Sequence, residues 1–242
     1  MNGNDLTVCA STAAHRADTA TGSQMTTDAE TPENVNSGTP GRIPQAERTR
    51  NARRALLTAA TDLFGRHGYV ETSLAMVGTH AGYSRGIVGY HFRSKEALAH
   101  AVIDHLAELN NARLIRAIGD RTGSDALDAA VDYYCDAVLA RPANANAIYV
   151  FLTVATTSAP ELREHIAEHN AAIRRTLAES LRGLTIGSEE QSPAELELLA
   201  GVIEGAVRGI VQQYMVDPEG FDLRAAAGRL KQLTHFGAPP QR

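Results

Sequence analysis

Arg85 stands between a serine and a glycine in the stretch AGYSRGIVGYHFRSKEAL, residues 81–98. Its guanidinium is a planar fork of donors that matches O6 and N7 of guanine on the major-groove edge of a base pair. Gly86 has no side chain, so a duplex or a neighbouring helix can come close there. Tyr90 and His91 carry polar tips within reach of a groove wall. Ser84 can cap a helix that starts at Arg85 and joins the same surface. Thr72 and Ser73 place hydroxyls and free amides at another helix start, and Lys95 places an ammonium at a third. Such groups suit phosphate oxygens. The chemistry on offer is recognition of duplex DNA, with Arg85 reading base edges and Thr72, Ser73, Tyr90 and Lys95 anchoring the backbone. Plainer uses stand beside it: Gly86 and Gly89 also fit an irregular loop, and His91 also fits a partly buried, hydrogen-bonded histidine.

Elsewhere the chain offers little catalytic chemistry. Residues 120–236 hold no phosphate loop, no HExxH and no GxSxG, so no enzyme activity and no cofactor are implied. HIAEH, residues 165–169, sets two histidines one turn apart on a helix. No third ligand is visible, so no metal site is expected and the pair reads as a solvated face. Asp132, Asp136, Glu164 and Glu168 read as surface too. Two cysteines, Cys9 and Cys135, suggest neither a disulfide framework nor a structural zinc site. No apolar run approaches the roughly 18 residues of a membrane span, so no membrane partner is expected. The first twenty residues lack the basic cluster and apolar core of a signal peptide. A cytoplasmic protein is the expectation.

The elements that must position these residues are helices, since no segment alternates with period two for long enough to claim a strand. Residues 1–44 are rich in small and polar types with little to bury, and read as a disordered tail, with Met25 an alternative start. A first helix spans 45–66, with Ala52, Leu56, Ala59, Ala60, Leu63 and Phe64 on its apolar stripe and Gly68 as a left-handed stop. Ser73, Ser84 and Ser94 cap three further helices, the first two only about two turns long. Helices that short are not stable alone. Leu74, Val77, Ala81, Ile87, Val88 and Phe92 are available to hold them against their neighbours. Four more helices are expected at 125–140, 143–157, 161–184 and 193–216, and a last at 223–235. Charge follows the same division: residues 41–95 carry eight Arg and one Lys against three acids, whereas the net charge of the whole chain is -5. A basic head on an acidic body suits DNA binding by the head.

Two helices joined by a short glycine-containing turn are the helix-turn-helix pattern. Residues 53–98 resemble the N-terminal domain of the TetR family of one-component transcriptional regulators. The resemblance rests on Phe64, Gly68, Tyr69, Thr72, Ser73, Ala81, Gly82, Ser84, Gly86, His91, Phe92, Ser94, Lys95 and Leu98. It implies an all-α fold: a three-helix helix-turn-helix head (45–93), a linking helix (94–119), and a larger helical domain for ligand binding and dimerisation (120–237). It also implies that the third helix reads DNA. One departure matters. Gly89 occupies a place where the family commonly has tyrosine, so the backbone contact passes to Tyr90 or elsewhere.

The resemblance extends to DPEGFDL, residues 217–223, which is similar to the segment between the two dimerisation helices of many family members. Gly201, Gly205, Ala206 and Gly209 give the preceding helix a small-residue face that suits either packing within the chain or a second copy. The resemblance further implies an inducer cavity in the body. Tyr133, Tyr134, Tyr149, Phe151, Thr153, Glu204 and Arg208 are its candidate lining, aromatic walls with few polar anchors, as suits a small and moderately apolar effector. The same tyrosines also suit plain core packing. The function expected is a homodimeric repressor that binds a pseudo-palindromic operator in double-stranded DNA and is released by that effector. The alternatives are an all-helical enzyme with a vestigial head, which needs converging carboxylates in the cavity, and a structural DNA-binding protein with a closed body.

Overall fold

Three serines begin three helices, each by accepting a hydrogen bond from the amide three residues on. In the computed structural model, which describes residues 44–186 and 189–234, Ser73 Oγ accepts from Met76 N (3.2 Å), Ser84 Oγ from Ile87 N (3.4 Å) and Ser94 Oγ from Ala97 N (3.0 Å). Each cap satisfies one of the four amides that a helix start leaves without a partner. The helices they open are α2 (Leu74–Ala81), α3 (Arg85–His91) and α4 (Lys95–Ile118), preceded by α1 (Gln45–Glu71). Gly68, at φ 79° and ψ 169°, kinks α1 near its end, a conformation open to glycine and costly for other residues. Gly82 closes α2 in the left-handed region.

α2 and α3 together supply only fifteen residues, so their stability must come from packing. Val77 and Val88 are fully buried, with Phe64, Leu56 and Leu98 beside them. Burying each such side chain contributes roughly 1.5–3 kcal/mol. Close approach of the two helices depends on Gly78, where a Cβ would meet Val88 Cγ2 at 2.9 Å and the Tyr83 carbonyl oxygen at 3.0 Å. Ile87 departs from expectation. It is 40% exposed, because Val88 already faces the core and successive helix positions point about 100° apart.

The body consists of α5 (Gly123–Ala140), α6 (Pro142–Thr156), a 3₁₀ turn (Pro160–Leu162), α7 (Arg163–Ser180), a two-residue hairpin of β1 (Thr185–Ile186) and β2 (Glu189–Glu190), α8 (Pro193–Val216) and α9 (Leu223–Thr234). The hairpin corrects the expectation of no strand. It also shortens the helix expected at 161–184, which ends at Ser180 before Gly183 turns the chain at φ 78°. Strands of two residues are too short to show any alternation. The expected tail (1–44, but for Pro44), Met25, Cys9 and the end of the last helix at His235 lie outside the described residues. Among those described, no helix is long and apolar enough to cross a membrane.

Head and body share one core. Phe64 of α1 meets Phe151 of α6 edge-on at 5.2 Å between ring centres. Ala147, Ala155 and Leu162 belong to the same buried cluster as Leu56, Val77 and Phe92. The seam needs Gly65, whose absent Cβ would lie 2.9 Å from the Ala143 carbonyl oxygen. A second core joins α5, α7, α8 and α9 around Leu127, Leu177, Leu181 and Ile203.

Candidate nucleic-acid interface and interior cavity

Only one side chain of α3, Val88, is buried. Arg85, Gly86, Gly89 and Tyr90 are exposed, Tyr90 by 76%. A Cβ on Gly86 would find nothing nearer than Ser84 Oγ at 3.8 Å, and one on Gly89 would find nothing within 4 Å. Glycine inside a helix costs about 1 kcal/mol against alanine. Neither residue recovers that cost by packing within the chain, so the smooth face they create is open to an outside surface. Arg85 makes no ion pair among the described residues, in contrast to Arg66, which pairs with Asp62 at 2.8 Å. His91 packs against Tyr90, with ring centres 5.2 Å apart. Partial burial, reinforced by Arg53, holds its imidazole below the ordinary histidine range.

Two of the expected backbone anchors are engaged differently. Thr72 is buried (1% exposed), and its hydroxyl lies 2.8 Å from the Gly68 carbonyl and 3.2 Å from that of Leu63. Its side chain ties the end of α1 and is not free for a phosphate; Ser73, exposed, is the hydroxyl at that surface. Lys95 donates to the Val70 carbonyl at 2.9 Å and lies 4.7 Å from the centre of the Tyr69 ring. Its ammonium pins the start of α4 to the end of α1, with two of its three donors still available.

Inside the body a cavity of about 100 Å³ lies between α4, α5, α6, α7 and α8. Five of the seven expected residues line it: Tyr133, Tyr134, Tyr149, Glu204 and Arg208. The Tyr149 hydroxyl donates to the Arg208 carbonyl at 2.8 Å, and that of Tyr133 to the Asn110 carbonyl at 3.1 Å. Glu204, 7% exposed, is the only lining carboxylate. It accepts from Arg208 at 2.7 Å and from Arg174 at 3.4 Å, and Arg208 also donates to Asn170 Oδ1 at 2.8 Å. Burial raises the phenols of Tyr134 and Tyr149, the latter to about 12. A single carboxylate bound by arginines gives no acid and base pair, and the body is not closed.

Phe151 and Thr153 do not line this cavity. Two residues on from Tyr149, Phe151 faces the opposite side of α6 and packs between Phe64 and Tyr69, bordering a smaller neighbouring cavity of about 60 Å³. Thr153 is exposed, and its hydroxyl donates to the Tyr149 carbonyl. Conversely, Asn110, Arg113 and Val207 line the cavity without having been anticipated, since nothing local marks them. The histidines of HIAEH are not a solvated face either. His165 and His169 are each about one quarter exposed and lean on Asp104 of α4, 65 positions before His169 in the chain.

The chain resembles known proteins along most of the described length. Residues 56–102 match the model for bacterial regulatory proteins of the tetR family, and residues 123–235 match that for the C-terminal region of BetI-type transcriptional repressors. The chain is 36% identical over 87 residues to the HTH-type transcriptional repressor Rv3405c of Mycobacterium tuberculosis (strain ATCC 25618 / H37Rv), a match covering 36% of this chain and 44% of that one. It therefore spans less than half the length of the curated relatives it matches. Among solved structures, a transcriptional regulator from Rhodococcus sp. Rha1 aligns with a TM-score of 0.65 at 24% identity, covering 76% of this chain and 95% of that one. The regulator FadR from Bacillus subtilis, in complex with stearoyl-CoA, aligns with a TM-score of 0.62 at 17% identity, covering 77% and 99%. At these identities the likeness is one of fold.

Proposed function

Because this chain belongs to the TetR family of transcriptional regulators, we propose that it is a homodimeric repressor whose hold on a pseudo-palindromic operator is released by a small, moderately apolar effector. The observation that carries the reading is the bare edge of α3. A Cβ on either of its glycines would meet nothing nearer than Ser84 Oγ at 3.8 Å, and its one arginine makes no ion pair among the described residues. Arg85 reads base edges in the major groove, Gly86 and Gly89 admit the duplex, and Ser73, Ser84, Tyr90, His91 and the remaining donors of Lys95 face its walls and phosphates.

A two-turn reading helix covers one half-site, and a second copy supplies the other. The surface for that copy is the outer face of α8, where Leu198 (74% exposed) and Val202 (68%) stand beside Gly205 and Gly209, whose missing Cβ atoms would meet nothing within 4 Å. Small residues on an exposed apolar helix face suit close approach of an identical helix. The cavity, about the size that holds one aromatic ring, takes the effector between Tyr133, Tyr134 and Tyr149, with Arg208 and Glu204 as polar anchors. FadR from Bacillus subtilis, solved in complex with stearoyl-CoA, shares the fold. Release follows if the effector favours a spacing of the two heads that no longer fits successive grooves, which requires different affinities for the two states.

Gel retardation of short duplexes tiling the DNA on both sides of the chain's own gene checks this. One segment is expected to shift at far lower protein concentration than the rest, and a one-ring apolar compound that raises the melting temperature should reverse the shift. Equal retardation of every segment would sink the operator reading.

A further inference from the structure

α4 and α7 meet at a side-chain cluster that neither the DNA-facing edge nor the Glu204 cavity uses. α4 contributes His100 and Asp104, and α7 contributes His165 and His169. Each pair is four positions apart and so occupies one helix face. Packing of α4 on α7 turns the two faces toward each other. His169 Nε2 lies 2.8 Å from Asp104 Oδ1, and His165 Nε2 lies 2.9 Å from the same oxygen. The His165 and His169 rings meet edge to face at 4.9 Å, and His100 lies against His165 at 4.5 Å. One donor atom from each of Asp104, His165 and His169 falls within 4.8 Å of the others.

Hydrogen bonding accounts poorly for this arrangement. His165 Nε2, though close to Asp104, lacks the alignment of a hydrogen bond, and both it and His100 Nε2 are buried without a hydrogen-bond partner among the described residues. Leaving such groups unsatisfied is costly. The His165 and His169 imidazoles and the Asp104 carboxylate bring three potential ligand atoms around a single point. A cation at that point would satisfy them together.

We propose that Asp104, His165 and His169 bind a divalent transition-metal ion, zinc foremost, with His100, whose ring lies against His165, as the candidate fourth donor. Two or three imidazoles and one carboxylate suit zinc, and imidazole nitrogen favours zinc, nickel or copper over magnesium or calcium. Metal–ligand distances of about 2.0–2.2 Å need neighbouring donors a few tenths of an ångström further apart than the present 2.8 and 2.9 Å. Small rotations of half-buried rings supply that. The ion would join α4, whose first residue holds the head through Val70, to the body helix α7. None of this depends on DNA binding.

The test uses the full chain with any affinity tag removed, stripped by a chelator and titrated with cobalt(II). One ion per chain is expected, with the visible ligand-field bands of a four-coordinate site, and zinc should displace it and raise the melting temperature. His165→Gln combined with His169→Gln, checked for native circular dichroism, should abolish the bands, and Asp104→Asn should weaken binding by about tenfold or more. Absence of bands in the wild-type chain at stoichiometric cobalt would overturn the proposal whatever the variants do. So would bands of equal strength in a folded double variant.

Discussion

The leading edge of α3 and the cavity between α4, α5, α6, α7 and α8 treat charge in opposite ways. Arg85 is exposed and enters no ion pair among the described residues, whereas Glu204 is buried and gripped by Arg208 and Arg174. In water an unpaired arginine costs little, and it is free to meet phosphates or guanines. Out of water a carboxylate is costly unless paired and hydrogen-bonded. The contrast separates a surface whose charge is free to meet a polyanion from an interior that keeps its own charges paired and presents aromatic walls. Between them runs the shared core at Phe64 and Phe151, through which the two regions are mechanically joined.

The strongest way to break that picture is to cut the join. Phe64→Ala should cost about 3–5 kcal/mol, because the side chain is fully buried against Tyr69 and Phe151. Urea unfolding followed by circular dichroism should show one transition moved as a whole; separate melting of the head would refute a shared core. Next in size is Glu204→Leu. It leaves Arg208 and Arg174 without their carboxylate and should cost about 2 kcal/mol, the arginines being partly solvated. Operator affinity of the ligand-free chain should be unchanged by it, as a titration by fluorescence anisotropy would read.

Gly86→Ala sharpens the comparison from the other side. The new methyl has space in the free chain, so the helix should gain about 0.5–1 kcal/mol. The same methyl stands where the duplex must approach, so affinity for DNA should fall. A variant that is both more stable and a poorer binder would mark the glycine as serving the partner. Loss of stability would return it to an ordinary packing role.

A further effect concerns pH. Burial keeps the Tyr149 phenol protonated up to about 12, against 10.0 for the free group. The unfolded chain loses that proton first, so the stabilisation is complete below pH 10 and is lost as pH rises toward 12. Tyr149→Phe should flatten the decline of urea midpoints across that interval. An unchanged slope would mean that the phenol ionises freely.

The head was readable in the sequence because its determinants are local. Three serine caps, Gly68, Gly82 and the apolar positions of three consecutive helices all lie within about fifty residues, and each acts on its near neighbours. What the sequence did not show concerned single side chains: Thr72 and Lys95 turn to the carbonyls of Gly68 and Val70 at the end of α1. The cavity was half readable. Tyr133, Tyr134 and Tyr149 stand out by type, but Asn110 and Val207 become lining only when α4 and α8 close over them. Phe151 was displaced by helix phase, since a position two beyond Tyr149 faces the other way, whereas Thr153, one turn on, shares that face but is exposed. The Asp104 contact was invisible for a stricter reason: its partners come from helices far apart in the chain, and no local pattern registers that juxtaposition.

The account stands or falls on whether α3 reads sequence. Selecting bound duplexes from a randomised pool tests this most directly, with the wild-type chain and Arg85→Ala run in parallel. Two related half-sites should emerge with wild type, and the variant, equally stable, should lose preference at one symmetric position, a discrimination of about 1–3 kcal/mol. Recovery of the same motif by both proteins, or of no motif by the wild type, would contradict it.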